Sequence, residues 1–376
     1  MIFIRGIEVT QGIQYFRADQ HLTDPADRGP DNSLVLVAGK AAWIRVYVET
    51  DTAGESVEVT GSIDVSYSIL NDRFGAPPIT LAAQPPGTVT ASYSPDYVTT
   101  RSSIGQTLNF IVPDTFMHGP LGLQVKLASV DGKQNTTLSQ AIRATLQQTL
   151  KVRGVMIGYN GPNPSNPSMN LVVAAPGLAN LQNTAAWALR VDPVSSAAVF
   201  EVATTITQTS ALTGTATNGG CTTDWFTLNT AIGNAKTADG NKAGYFYYGL
   251  LAAQFPNTSN NGGCESGGVA SGFDGGQTAF AHELGHYTGR AHAPCGGVGT
   301  SADPNYPAYE PYDSPAARVA SIGEYGLDIT SGTIPDPSTA RDFMSYCGPP
   351  WISIYGHKAA INNEALNPER DRKSVV

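Results

Sequence analysis

A multidomain chain, all-β first and α/β second, is predicted by three observations in the 376-residue sequence. Stretches of period-two alternation fill the first 150 residues, strand-like and helix-like segments succeed one another after that point, and a charged fraction of only 14% accompanies 40 Gly and 25 Pro. Alternation at period two is what a strand with one buried face requires, and a charge-poor, Gly- and Pro-rich composition suits strands and long loops better than helical bundles. With 41% hydrophobic residues each part can bury a core of its own.

In the first part, Ile44, Val46 and Val48 alternate with Arg45 and Tyr47. Ile63, Val65, Tyr67 and Ile69 alternate with Ser62, Asp64, Ser66 and Ser68, and Leu121, Leu123, Val125 and Leu127 with Gly122, Gln124, Lys126 and Ala128. Pro77-Pro78, Pro85-Pro86-Gly87 and Asp131-Gly132 break the pattern. Short strands between turns predict an immunoglobulin-like β-sandwich over 1–150. His21 and His118 stand alone there, as histidines in cores and on surfaces usually do. The character changes near residue 150, where a strand over 152–159 runs into a Pro/Asn/Gly/Ser loop over 160–168. A helix is predicted over 177–191, where Leu178, Leu181, Ala185, Trp187 and Leu189 recur at helical spacing. A strand over 197–206, a helix over 222–235 and strands over 245–251 and 267–273 follow, and this order describes an α/β layer in a second domain, 151–376.

A formal charge of −9 and a pI of 5.1, with no Lys/Arg cluster, disfavour nucleic acid or an anionic membrane surface as partner and leave proteins or peptides open. The longest apolar runs, 34–37 and 171–175, are far shorter than the roughly 18 residues of a membrane span. Met1-Ile2-Phe3-Ile4-Arg5 is too short for a secretory signal, so a mature fragment or export by another route is expected. Cys221, Cys264, Cys295 and Cys347 lack C-x-x-C spacing, and their even number in a Gly/Asn/Thr-rich chain reads as two disulfides in an oxidising compartment. A monomer is expected.

The chemistry is concentrated in 282–292, where His282-Glu283-Leu284-Gly285-His286-Tyr287-Thr288-Gly289-Arg290-Ala291-His292 satisfies H-E-x-x-H-x-x-G-x-x-H. Residues four apart share a helix face, so His282 and His286 aim at one point with Glu283 beside them. Gly289 can take positive φ and turn the chain back, so that His292 approaches as a third ligand while a fourth position stays open to water. An HExxH alone arises on ordinary helices, but the long form does not fall out of a composition holding six His.

At these residues the chain resembles the metzincin clan of zinc endopeptidases. The Met-containing turn of that clan is matched by Asp342-Phe343-Met344-Ser345-Tyr346-Cys347. The resemblance implies a metzincin-like α/β zinc protease domain, one catalytic zinc on His282, His286 and His292, and Met344 as an apolar floor beneath the imidazoles. The M-S-Y form resembles the astacin and serralysin branches and implies that Tyr346 reaches the zinc or the transition state. Ala293-Pro294-Cys295 departs from the acidic residue that several branches place after the third His, so the subfamily is unassigned. If the two motifs meet, Cys295 and Cys347, each three residues past a motif position, pair with each other and Cys221 pairs with Cys264; two other connectivities remain open.

The implied activity is that of a secreted endopeptidase, in which Glu283 is general base to a zinc-activated water and the substrate pairs with the 267–273 strand. A binding protein with a structural metal is the competing reading, but such a site has no use for Glu283. Asp303, Asn305, Glu310 and Asp313 form an acidic patch that could bind calcium, although no loop pattern supports it.

Overall fold

The computed structural model describes residues 1–67, 77–144, 146–216, 220–366 and 368–369; Ser68 and Ile69 of the alternating stretch lie outside them. Eight strands build the first sheet: β1 (Ile2–Thr10), β2 (Ala42–Thr50), β3 (Ser56–Tyr67), β4 (Ile79–Ala82), β5 (Thr88–Tyr93), β6 (Leu108–Val112), β7 (Gly119–Ser129) and β8 (Asn135–Ala144). The short helix α1 (Tyr97–Ser102) lies between β5 and β6. All eight belong to one hydrogen-bonded sheet in the order β1-β2-β5-β3-β7-β8, with β6 paired to β2 and β4 to β3. The sheet curls until β1 lies beside β8, and its inner face holds Val9, Ile44, Val46, Ile63, Val65, Leu123 and Val125, all nearly inaccessible.

The second sheet starts after the short strand β9 (Gln147–Gln148). It contains β10 (Lys151–Asn163), β11 (Asn166–Val173), β12 (Val199–Gln208), β13 (Phe246–Leu251), β14 (Gly263–Ser266) and β15 (Val269–Phe273). The long β10 runs parallel to both β12 and β13, β13 runs parallel to β15, and β14 returns antiparallel to β15 through Gly267 and Gly268, both at positive φ. Three longer helices accompany it: α2 (Leu178–Val191), α3 (Thr223–Ala238) and α4 (Gln277–Tyr287). In α3 the buried Trp225, Leu228, Asn229 and Ile232 form one stripe at 3.6-residue spacing. The chain beyond α4 contributes the two-residue pair β16 (Arg341–Asp342) and β17 (Pro350–Trp351), the short helix α5 (Ile354–Ala360), β18 (Pro368–Glu369) against β9, and otherwise loops.

The expected fold class, an immunoglobulin-like β-sandwich followed by a metzincin-like α/β domain, is therefore corrected in both halves. The first half is one curled, nearly closed sheet rather than two stacked ones. Alternation reports which face of a strand is buried, and a curled sheet buries one face as a sandwich does. In the second half the strand-and-helix layer stops at Tyr287, and the loops that follow hold the chain as a whole to a predominantly β content with few helices.

The two parts are locked together by buried polar contacts. Lys40 is inaccessible and donates from Nζ to the carbonyls of Leu189 and Arg190 at 3.0 Å, closing the C-terminal end of α2. Arg101 of α1 pairs with Glu8 of β1 and, at 3.1 Å, with Glu324 of the C-terminal loops, and all three are buried. His21 reaches the other oxygen of Glu324, also at 3.1 Å.

Candidate metal centre

Helix α4 passes through the interior, with 280–285 buried. Gly289, at φ 86°, ends it: the Arg290 amide donates to the Gly285 carbonyl and the Gly289 amide to the His286 carbonyl, the paired bonds of a left-handed helix cap. The reversal brings His292 back beside His282 and His286, and the ligand nitrogens of all three lie within 4.8 Å of one another. The His286 Nε2 is 3.1 Å from the His282 Nε2 and 3.2 Å from the His292 Nε2.

These close approaches are not hydrogen bonds, because each ring proton is already committed on the other side. His282 Nδ1 lies 2.8 Å from the Phe343 carbonyl and His286 Nδ1 2.8 Å from the Arg290 carbonyl; a carbonyl only accepts, so both Nδ1 atoms carry hydrogen. The Ser301 hydroxyl donates to the Val298 carbonyl at 2.7 Å, which leaves its oxygen to accept from His292 Nδ1 at 2.9 Å. Burial depresses the pKa of His282 to about 3 and of His292 to about 4, and it lowers that of His286 as well, so the rings stay neutral. Three Nε2 lone pairs then face one another. A tetrahedral zinc ion with ~2.0–2.1 Å bonds sets ligand nitrogens about 3.3 Å apart, close to the spacing found, so the donor set fits a divalent cation of this kind.

Other motif residues gather at the same place. Met344 is fully buried with its Sδ against Gly285, where a Cβ would stand 2.1 Å from the sulfur. The Tyr346 hydroxyl lies 3.0 Å from His292 Nε2, and its ring is half exposed. Glu283 packs its carboxyl against Gly263 of β14. Burial, with the charge of Glu265 adding to it, raises the Glu283 pKa to about 8.

A cleft of about 520 Å³ reaches His282, Glu283 and Tyr346. One wall includes Gly220 and 260–263, the other Gly296, Gly297, Tyr346 and Cys347, and no Lys, Arg or Asp side chain lines it among the described residues. The disulfides are Cys221–Cys264 on the first side and Cys295–Cys347 on the second. Backbone bonds from Ala293 to Met344 and from Tyr346 to Cys295 tie the segment after His292 to the Met344 turn.

Two expectations need revision. The 267–273 strand, β15 here, is paired on both edges, by β13 and β14, so it cannot take a substrate strand; β14 is the edge beside Glu283. The patch Asp303, Asn305, Glu310 and Asp313 is not brought together, for Asp303 bonds the Asn305 amide and the Tyr355 hydroxyl while Asp313 holds the Ser314 and Val319 amides. Among the described residues, His282, His286 and His292 form the one group of three or more His, Cys, Asp or Glu side chains close enough to share a metal ion. Sequence reasoning gave no role to Ser301, Arg290 and Asp342, the residues that hold the imidazoles and the turn: Ser301 acts from a short turn nine residues past His292, and Arg290 and Asp342, each inside a motif, pair across 52 residues.

No family model matches the chain, and no curated protein matches it. Among solved structures, a family 123 glycoside hydrolase from Clostridium perfringens, described for the details of glycolipid glycan hydrolysis, is similar over 66% of this chain at 11% identity and a TM-score of 0.21. The similarity spans 37% of that hydrolase's length, and backbones that agree so little support no argument about fold or activity.

Proposed function

We propose that the chain is a zinc-dependent endopeptidase of the metzincin type in its catalytic motif. The observation that carries this reading is the convergence of three Nε2 lone pairs, with the Tyr346 hydroxyl beside that of His292, next to an open cleft that His282, Glu283 and Tyr346 line. Zinc bound there would supply Lewis acidity, activating water and polarising the scissile carbonyl. Glu283 accepts the proton of the attacking water and passes it to the leaving amine. The Tyr346 hydroxyl donates to the oxyanion that develops at the former carbonyl. β14 is the edge strand of its sheet and its Gly263 lines the cleft, where its backbone offers a pairing point for an extended peptide, and the cleft walls without Lys, Arg or Asp suit side chains without charge. Two disulfides support secretion into an oxidising compartment.

The decisive experiment is digestion of an unfolded protein such as casein. Cleavage is expected with zinc present, to stop when a chelator strips the metal, and to return when zinc is restored. Cleavage that persists in the metal-free protein rejects the proposal. Tyr346→Phe is expected to lower kcat by about 10²-fold, the usual loss on removing one oxyanion donor, with KM little changed. An unaltered kcat removes Tyr346 from the mechanism and leaves it a packing residue.

A further inference from the structure

Two of the three imidazoles are oriented by carbonyls at one buried ion pair, one belonging to a member of the pair and one to the residue that follows the other member. His286 donates to the carbonyl of Arg290 and His282 to that of Phe343, the residue after Asp342. The Arg290 guanidinium itself reaches Asp342, with Nη2 at 2.8 Å from Oδ1 and 3.0 Å from Oδ2. Asp342 Oδ1 also accepts the Met344 amide at 2.8 Å, and Oδ2 accepts the Ser353 amide at 3.2 Å and the Ser353 hydroxyl. The guanidinium lies 4.7 Å above the Phe343 ring. Asp342 is inaccessible and Arg290 nearly so. Gly356 of α5 closes over both, since a Cβ there would stand 2.5 Å from the Arg290 Nη2 and 2.8 Å from the Asp342 Oδ2.

A pair so deeply buried gains little stability over apolar residues of the same shape, because desolvating two charges cancels much of their attraction. What it does supply is placement. The pair joins the chain just before His292 to the 342–344 turn, 52 residues later, and thereby holds both acceptor carbonyls in one rigid frame. We infer that Arg290 and Asp342 are positioning residues for the metal centre, which fix the Nδ1–H form of His282 and His286 so that their Nε2 lone pairs converge. The inference rests on the zinc reading for its purpose, but it makes a separate claim about the imidazoles. His292 is the internal control, for its acceptor, Ser301, is bonded to Val298 and not to the pair.

The test is ¹⁵N NMR of histidine-labelled, metal-free protein together with zinc affinity by chelator competition. In the wild-type protein His282 and His286 are expected in the Nδ1–H form. In Asp342→Asn both are expected to become tautomer mixtures while His292 is unaltered, and zinc affinity is expected to fall about 10–100-fold, the common cost of losing an orienting partner. Arg290→Lys, which keeps the charge but loses the guanidinium that reaches Asp342 through Nη2 and lies over the Phe343 ring, should shift the same two rings, and it carries the test if Asp342→Asn does not fold. Unchanged tautomers and affinity in a folded variant overturn the inference, as does a wild-type protein whose His282 and His286 carry hydrogen on Nε2. If the wild-type protein takes up no zinc the peptidase proposal fails by itself, and the tautomers of the metal-free protein still decide the role of the pair.

Discussion

Glu283→Gln is expected to retain stoichiometric zinc and to lose turnover by about 10²–10⁴-fold, the contribution of a positioned general base, which amounts to roughly 3–5 kcal/mol of barrier. The carboxyl packs against Gly263, where even a Cβ would stand 2.7 Å from Oε1, so an amide of the same shape keeps the contact with β14 and changes only the capacity to take a proton. The ligands are untouched because Glu283 is not one of the three side chains whose ligand atoms converge. Steady-state kinetics on a peptide substrate, with metal content measured on the same preparation, separates the two effects. A Gln variant with more than a tenth of the original kcat would require another base.

Arg101→Met is expected to destabilise the protein by about 3–5 kcal/mol, the loss typical when one partner of a buried ion pair is removed and its counter-charge is left in place. Here Glu8 and Glu324 both lose their strongest partner, and each has at most 1% of its side chain in contact with solvent. Arg45, 3.7 Å from Glu8, compensates one of them only in part. Pairing Arg101→Met with Glu324→Gln should recover part of the loss, because the second change removes a charge that the first has stranded. Urea unfolding measures both proteins; a midpoint for Arg101→Met within error of the wild-type value would show that the pair is already solvated. Glu324 lies close to the 320–322 stretch, which bonds Asp342 and Ile354, so this variant should also loosen the turn that carries Met344.

What could be read from the sequence depended on whether the signal was local. The strand at Gly119–Ser129 and the helix at Leu178–Val191 show their own periodicity, because each buries one face, whereas Ala42–Thr50 alternates in sequence although both of its faces are covered. Which strands become neighbours has no such mark, and so a curled sheet was expected as a sandwich. His282, Glu283, His286, Gly289 and His292 were legible because helix and cap geometry tie them within eleven residues. Ser301 was not, since it acts from a 3-10 turn, Gly299–Ser301, that has no periodic pattern. The Arg290–Asp342 pair was hidden for a different reason: its members are 52 residues apart, and either alone looks like a surface charge. The edge strand β14 reads Gly-Cys-Glu-Ser, too short and too polar to register, and only its pairing with β15 reveals it.

The two disulfides have a consequence for the lifetime of such a protein. They close loops with sequence separations of 43 and 52, and each removes about 4 kcal/mol worth of freedom from the unfolded chain in the loop-entropy account. The rim they tie down is rich in Gly and Asn, the type of segment that a neighbouring copy could otherwise thread into its own cleft and cut. If the proposed peptidase activity holds, self-digestion has to wait for the rim to open against its crosslinks. The durability of a concentrated solution should follow that opening rate rather than the number of peptide bonds on view.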